Sequence, residues 1–196
     1  MEKKNTGFII IVTCIVILLI SLAAVIYYVL PWLAIFSDFL NEKNIPEPSI
    51  TYGEFAIKIE YKLNGKDMIL EDVIICEYDG KETIGVAGTY RKWKTRLKSG
   101  RERLTLLDLR DQKIVDEWGD EVLEFFFYFG NGEYYMGDSE KSRQRGPNFD
   151  AKMVDYLKNV NGKEAYSAMS KEDVLEKYNL SIISCQISKP IKNTLR

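Results

Sequence analysis

Histidine is absent from the 196 residues of this chain. That absence removes catalytic triads built on imidazole, histidine-ligated zinc and imidazole-based pH sensing. Cysteine is scarce. Cys14, Cys76 and Cys185 form no C-x-x-C pair and have no imidazole to activate them, so neither a redox enzyme nor a thiol nucleophile is indicated. No charge dominates either: 27 Lys and Arg against 29 Asp and Glu give a net charge of −2. With a pI near 5.4, a dedicated nucleic-acid binder is disfavoured. Internal repeats and low-complexity tracts are missing as well. What remains is 46% hydrophobic, 12% aromatic and 29% charged, a globular composition that excludes a wholly disordered chain.

The strongest positive signal is the uncharged apolar run from Phe8 to Leu30. As a helix rising about 1.5 Å per residue it reaches roughly 35 Å, enough to cross a hydrocarbon core of about 30 Å. An isolated span must pair every backbone group internally, which only a helix does. Pro31 is expected to end it, with Tyr27, Tyr28 and Trp32 at headgroup depth. Lys3 and Lys4 precede the run, whereas Asp38, Glu42, Lys43 and Glu47 follow it. The positive-inside rule therefore puts the amino terminus in the cytoplasm and the rest of the chain outside. Ser21-Leu22-Ala23 resembles a small-x-small cleavage site, but apolar sequence continues well past Ala23, and a retained anchor is the expectation. Thr13 before Cys14 does not suit a lipoprotein site. The expected organisation is a cytoplasmic tail over 1–7, a transmembrane helix over 8–30, an interfacial segment and stalk over 31–49, and an extracytoplasmic domain over 50–196.

That domain reads as mainly β. Glu54 to Leu63 alternates strictly, with Phe55, Ile57, Ile59, Tyr61 and Leu63 on one face and Lys58, Glu60 and Lys62 on the other. Asn64-Gly65 predicts a tight hairpin into a strand over 68–78, and Asp79-Gly80 the next turn. Further strands are expected over 89–97 and 104–109. Hairpins are expected around Asn131-Gly132, with arms 122–129 and 133–136, and around Asn161-Gly162, with arms 153–160 and 163–168. Asp138 to Asp150 reads as a polar surface loop. Ser170 with Asp173 three residues on predicts an N-cap, a short helix through Tyr178 and a stop at Asn179, before a last strand over 180–187. The architecture expected is a compact antiparallel sandwich or partial barrel with one short C-terminal helix. An α+β roll is the alternative.

The segments I-T-Y-G-E-F (50–55), D-V-I-I-C-E-Y-D-G (72–80), Y-R-K-W-K (90–94) and E-Y-Y-M-G-D (133–138) resemble an uncharacterised group of small membrane-tethered proteins from Gram-positive bacteria. The resemblance covers most of the exterior domain. It implies an anchored envelope protein and carries no reaction, ligand or catalytic residue with it.

Four features are candidates for function. Arg91, Lys92, Trp93, Lys94, Arg96 and Lys98 lie in a basic stretch. Alternation lines up Lys92, Lys94, Arg96 and Lys98 to meet anionic headgroups or wall polymers, unless acids elsewhere neutralise them. Asp116, Glu117, Asp120, Glu121 and Glu124 offer carboxylates, but without the spacing of a calcium loop or a glycosidase pair. Phe125 to Phe129, with Tyr134 and Tyr135, form an aromatic run whose two faces both need apolar cover, from the core, a sugar or a partner. Cys76 and Cys185 sit in apolar strands, where two buried thiols are the default and a disulfide the alternative. The functional expectation is a non-enzymatic, single-pass envelope protein that binds a partner protein or an anionic wall polymer, with no cofactor, metal or nucleic acid. A carboxylate-dependent hydrolase of wall glycans and a structural subunit of a membrane complex are the competing readings.

Overall fold

The computed structural model describes residues 2–40, 45–84, 88–138, 143–149 and 152–194. The chain divides into two compact units, 1–45 with 81–90, and 46–80 with 91–196.

In the smaller unit a single helix, α1, runs from Glu2 to Leu40. Its segment Ile11–Leu30 has a mean hydropathy of 2.7, is not buried against protein, and is long and apolar enough to cross a membrane. Ser21 is accommodated because its hydroxyl donates back to the Leu18 carbonyl at 2.9 Å. Pro31 does not end the helix, contrary to expectation. A proline removes one hydrogen bond, whereas stopping the helix in an apolar run would leave several backbone groups unpaired. Within residues 81–90 the Ile84 N–H bonds the Gly88 carbonyl at 3.0 Å.

The larger unit holds two four-stranded sheets. The first contains β1 (Tyr52–Leu63), β2 (Lys66–Thr83), β3 (Thr89–Leu97) and β8 (Leu180–Ile187), in the spatial order β3-β2-β1-β8. The second contains β4 (Leu104–Asp108), β5 (Glu121–Phe127), β6 (Met153–Val160) and β7 (Lys163–Ser170), in sequential order. The β1 pairings with β2 and β8, and those of β4 through β7, are all antiparallel.

One apolar core joins the inner faces of both sheets. Phe55, Ile57, Ile59 and Tyr61 of β1 meet Leu104, Phe125, Phe127 and Tyr156 of the second sheet in it. The strict alternation of β1 is the reason: its odd positions are buried while Lys58, Glu60 and Lys62 face outward. Asn64-Gly65 and Asn161-Gly162 close their hairpins with positive φ at both residues (52° and 75°, 52° and 80°), the geometry that matches strand twist. The short helix α3 (Lys171–Tyr178) begins as expected, with Ser170 Oγ accepting from Asp173 N–H at 3.0 Å, and stops at Asn179 in the left-handed region.

Three local expectations are corrected. Asp79-Gly80 is not a turn, because β2 continues through it to Thr83 with Gly80 at φ 84° as an irregularity inside the strand. Asn131-Gly132 is not a hairpin either. Asn131 caps a helical turn, α2 (Gly132–Tyr135), its side chain accepting from Tyr134 N–H at 3.2 Å. Gly132 is needed for proximity rather than for a turn, since a Cβ there would lie 2.5 Å from Trp93 Cβ. Finally, the folded unit begins before residue 50. Pro48 is buried, Ser49 N–H bonds the Thr194 carbonyl at 2.9 Å, and the Asn193 amide exchanges two hydrogen bonds with the Ile50 backbone. Residues 46–49, expected as stalk, are thus held by the C-terminal strap, while the rest of the expected stalk includes 41–44, which lie outside the described residues. The expected 138–150 loop likewise includes 139–142 and 150, outside the described residues.

Candidate functional site

The basic strand is two structures in one. Lys92, Lys94, Arg96 and Lys98 are exposed, whereas Arg91 and Trp93 turn into the core. The exposed residues are largely neutralised by neighbouring strands: Lys92 meets Asp79, Arg96 meets Glu77 and Lys98 meets Glu54, each at 3.0 Å. Arg91 is 3% exposed and serves the fold. Its Nε and Nη2 donate to Asp138 at 2.9 and 2.6 Å, and its Nη1 donates to the Pro46 carbonyl at 3.1 Å. Trp93 Nε1 donates to the same carboxylate at 2.8 Å. Asp138, read from sequence as loop, is thereby a buried acceptor for two side chains.

The acidic stretch is also divided. Asp116 and Asp120 grip Lys158 Nζ at 3.2 and 2.7 Å, and the exposed Trp118 ring lies 4.9 Å from that ammonium. Burial alone would raise the Asp116 carboxyl. The Asp120 N–H, the Lys158 ammonium and the Trp118 N–H together outweigh it and hold the group below its ordinary range. Glu124 is 2% exposed on β5 and sits between Arg103 at 3.1 Å and Arg110 at 3.0 Å. Among the described residues no cluster of three or more potential ligands is arranged to hold a metal. Of the carboxylates singled out in sequence, Asp116, Asp120 and Glu124 thus neutralise cations of β6 and of the β4 flanks, not the exposed basic strand, while Glu121 accepts from Asn159 Nδ2 at 3.4 Å.

Cys76 and Cys185 are unpaired. Both pair with β1 in the ladder, Cys76 opposite Gly53 and Cys185 opposite Ile59. Six residues along a strand is roughly 20 Å, far beyond the reach of a disulfide. Burial pushes the Cys76 thiol up to about 12 and the Cys185 thiol up to about 11.

The aromatic run provides the most distinctive geometry. A register shift between Val122 and Glu124 lets both Val122 and Phe125 enter the core, and turns Glu124 and Phe126 to the outer face of the second sheet. Phe126 pairs with Asp155 of β6, and Leu157 of β6 with Tyr166 of β7, so these four share that face. Tyr166 stands edge-on to Phe126 with centroids 5.8 Å apart. Arg103 lies over the Tyr166 ring at 5.6 Å and donates to its hydroxyl at 3.3 Å while bound to Glu124. This stack covers one end of the outer face and explains how Phe126 is buried outside the core. Beside this stack a cleft of about 820 Å³ opens to solvent, lined by Arg103, Phe126, Tyr128, Asp155 and Tyr166 and by Arg145 and Asn148 of the loop before β6.

The polar groups of this cleft feel one another. Burial raises the Tyr128 phenol, Arg145 opposes that rise, and Glu133 and Asp155 add to it. Burial also raises the Asp155 carboxyl, against one hydrogen bond from Asn148 Nδ2 at 3.3 Å. Apolar lining with a few convergent polar groups, two of them with shifted pKa values, is the ordinary chemistry of a ligand site. Sequence reading had Phe126 and Tyr128 on one face but missed Tyr166, Asp155, Arg145 and Asn148. The alternation of the 153–160 and 163–168 hairpin was the available signal for the first two. No family model matches the chain, and neither a curated protein nor a solved structure matches it.

Proposed function

We propose that this chain is a non-enzymatic, membrane-anchored binding protein of a cell envelope. In this reading α1 remains in the bilayer with the amino terminus cytoplasmic, and the β-rich unit is displayed outside to capture a ligand. The apolar helix and Lys3 and Lys4 ahead of it support the anchor and its direction, and the resemblance to small tethered envelope proteins agrees. The observation that carries the binding role is the cleft on the outer face of the second sheet. There β5, β6, β7 and the segments flanking them bring aromatic rings, a guanidinium, an amide and a half-buried carboxyl together. The cleft supports the role better than the exposed basic strand, three of whose cations already hold acids at 3.0 Å. The carboxylates of 116–124 also offer little support for a hydrolase, since Asp116, Asp120 and Glu124 are bound to cations.

Ala168 is exposed and faces Asp155 in the β6–β7 ladder, which makes it a reporter for both parts of this reading. With Ala168→Cys, a membrane-impermeant maleimide should label the new thiol on intact cells, and soluble envelope extract should slow that labelling. Labelling only after lysis would refute the topology. An unchanged rate in the presence of extract would refute the cleft.

A further inference from the structure

We infer that the cleft takes an uncharged sugar chain, an assignment that rests on the binding role proposed above. Three physical features select this ligand class over the others. The aromatic surface is the first. The exposed Tyr166 and the half-buried Tyr128 line the cleft beside the buried Phe126, and the C–H face of a pyranose ring packs on such exposed rings much as another apolar surface would.

The second is the hydrogen-bonding inventory. Each sugar hydroxyl is both donor and acceptor, so its site must offer both. Arg145 supplies donors, Asn148 supplies both kinds, and the Tyr128 hydroxyl does the same. Asp155 spends Oδ2 on Asn148, and its Oδ1 takes no hydrogen bond among the described residues.

The third is charge. Arg103 and Arg145 are opposed by Glu102 and Asp155 around the same cleft, and Arg103 is already held by Glu124. A phosphate or sulfate placed against Asp155 would face a carboxylate, with Arg145 as the one lining arginine not paired to an acid among the described residues. An acyl chain or apolar peptide would strip water from Asp155 and Arg145 without replacing its hydrogen bonds, the costliest outcome for buried polar groups. A neutral polyhydroxylated ligand satisfies both. The volume of about 820 Å³ lies within the ordinary range of small-ligand sites, and its open side suits a chain that continues past it.

The test is calorimetric titration of the full chain in phosphatidylcholine nanodiscs with three probes. They are an N-acetylglucosamine tetramer, a glycerol-phosphate oligomer, and an apolar hexapeptide. The sugar tetramer should bind saturably, with a Kd that changes less than about twofold between 50 and 500 mM salt, as expected where no net charge is exchanged. Asp155→Asn and Arg145→Ala should each weaken it by about tenfold, the loss of one hydrogen bond to a charged group. Unchanged circular dichroism and a retained cooperative thermal transition will show that both variants fold. Absence of sugar binding, binding confined to the phosphate oligomer and lost in salt, or preference for the hexapeptide would each overturn the assignment. Because the titration is blind to membrane orientation, its failure beside extract-slowed labelling of the Ala168→Cys chain on intact cells would sink the sugar alone. Success beside labelling only after lysis would sink the topology alone.

Discussion

The buried pair Arg91–Asp138 gives the sharpest test of how this domain is held. Arg91 and Asp138 side chains are each 2% exposed, and their closest approach is 2.6 Å. Asp138→Ala would take from the guanidinium the carboxylate that binds its Nε and Nη2, and leave the Trp93 indole N–H without its acceptor at 2.8 Å. Removing one partner of a buried ion pair costs about 3–5 kcal/mol, because a desolvated charge is left uncompensated. For a unit of this size, about 4 kcal/mol corresponds to a fall in Tm of roughly 8–16 °C. Urea unfolding of the full chain in a non-ionic detergent, followed by tryptophan fluorescence, measures it, since Trp93 reports the neighbourhood directly. The double variant Arg91→Met, Asp138→Leu should recover part of the loss, because an apolar pair has no charge to desolvate while the Trp93 N–H still lacks its acceptor. A loss below about 1 kcal/mol for Asp138→Ala, or a double variant worse than the single, would refute the reasoning.

Four further outcomes follow from the packing and the titrating groups. Gly132→Ala should destabilise by about 1–3 kcal/mol in the same urea assay, since its Cβ would lie 2.5 Å from Trp93 Cβ and 2.9 Å from Thr95 Oγ1. Cys76 and Cys185, with thiols pushed up to about 12 and about 11, should react with iodoacetamide at pH 8 far more slowly in the native Cys14→Ser chain than after denaturation. Asp116 sits below its ordinary value in the fold, so its contribution is present above the unfolded carboxylate pKa and lost as pH falls through the lowered one. Asp116→Asn should accordingly flatten the acid limb of a stability–pH curve. Asp155 is raised, so its charging costs stability as pH rises from the unfolded value through the raised one, and Asp155→Asn should remove that decline in the mildly acidic range.

The sheet was legible in the sequence wherever one physical rule acted alone. Alternation in 54–63 is a local pattern with a local consequence, and it places the odd residues of β1 in the core as expected. Asn64-Gly65 and Asn161-Gly162 stand in exposed turns where positive φ is the only demand, and both close hairpins. The same dipeptide at 131–132 forms a helix start, because two demands from elsewhere override it. The Trp93 Cβ presses on Gly132, and the Asn131 side chain both caps α2 and accepts from Arg145 N–H at 2.9 Å. Asp79-Gly80 fails for a related reason: sheet pairing carries β2 onward, and a glycine tolerates positive φ inside a strand as readily as in a turn.

The candidate site obeys the same distinction at longer range. That Lys92, Lys94 and Arg96 share a face follows from alternation, but which acids meet them depends on sheet order. Glu77 and Asp79 come from β2, the neighbour of β3, and Glu54 from β1 beyond it. The cleft is harder still, because residues from 126 to 166 converge only once β5, β6 and β7 are in register. One residue nevertheless announced it. A strand in which Phe125, Phe126 and Phe127 are all buried needs apolar cover on both sides, and only one side is the core. The cover for Phe126 is Tyr166 beneath Arg103, a stack anchored by a carboxylate that is itself buried. A fold that needed only to hide Phe126 would do so with another aliphatic side chain. Building the cover from an aromatic ring, a guanidinium and Glu124, and leaving it open toward Asp155 and Tyr128, places polar groups where packing alone has no use for them. That excess of chemistry over structural need is the argument that the outer face of the second sheet is a surface for binding.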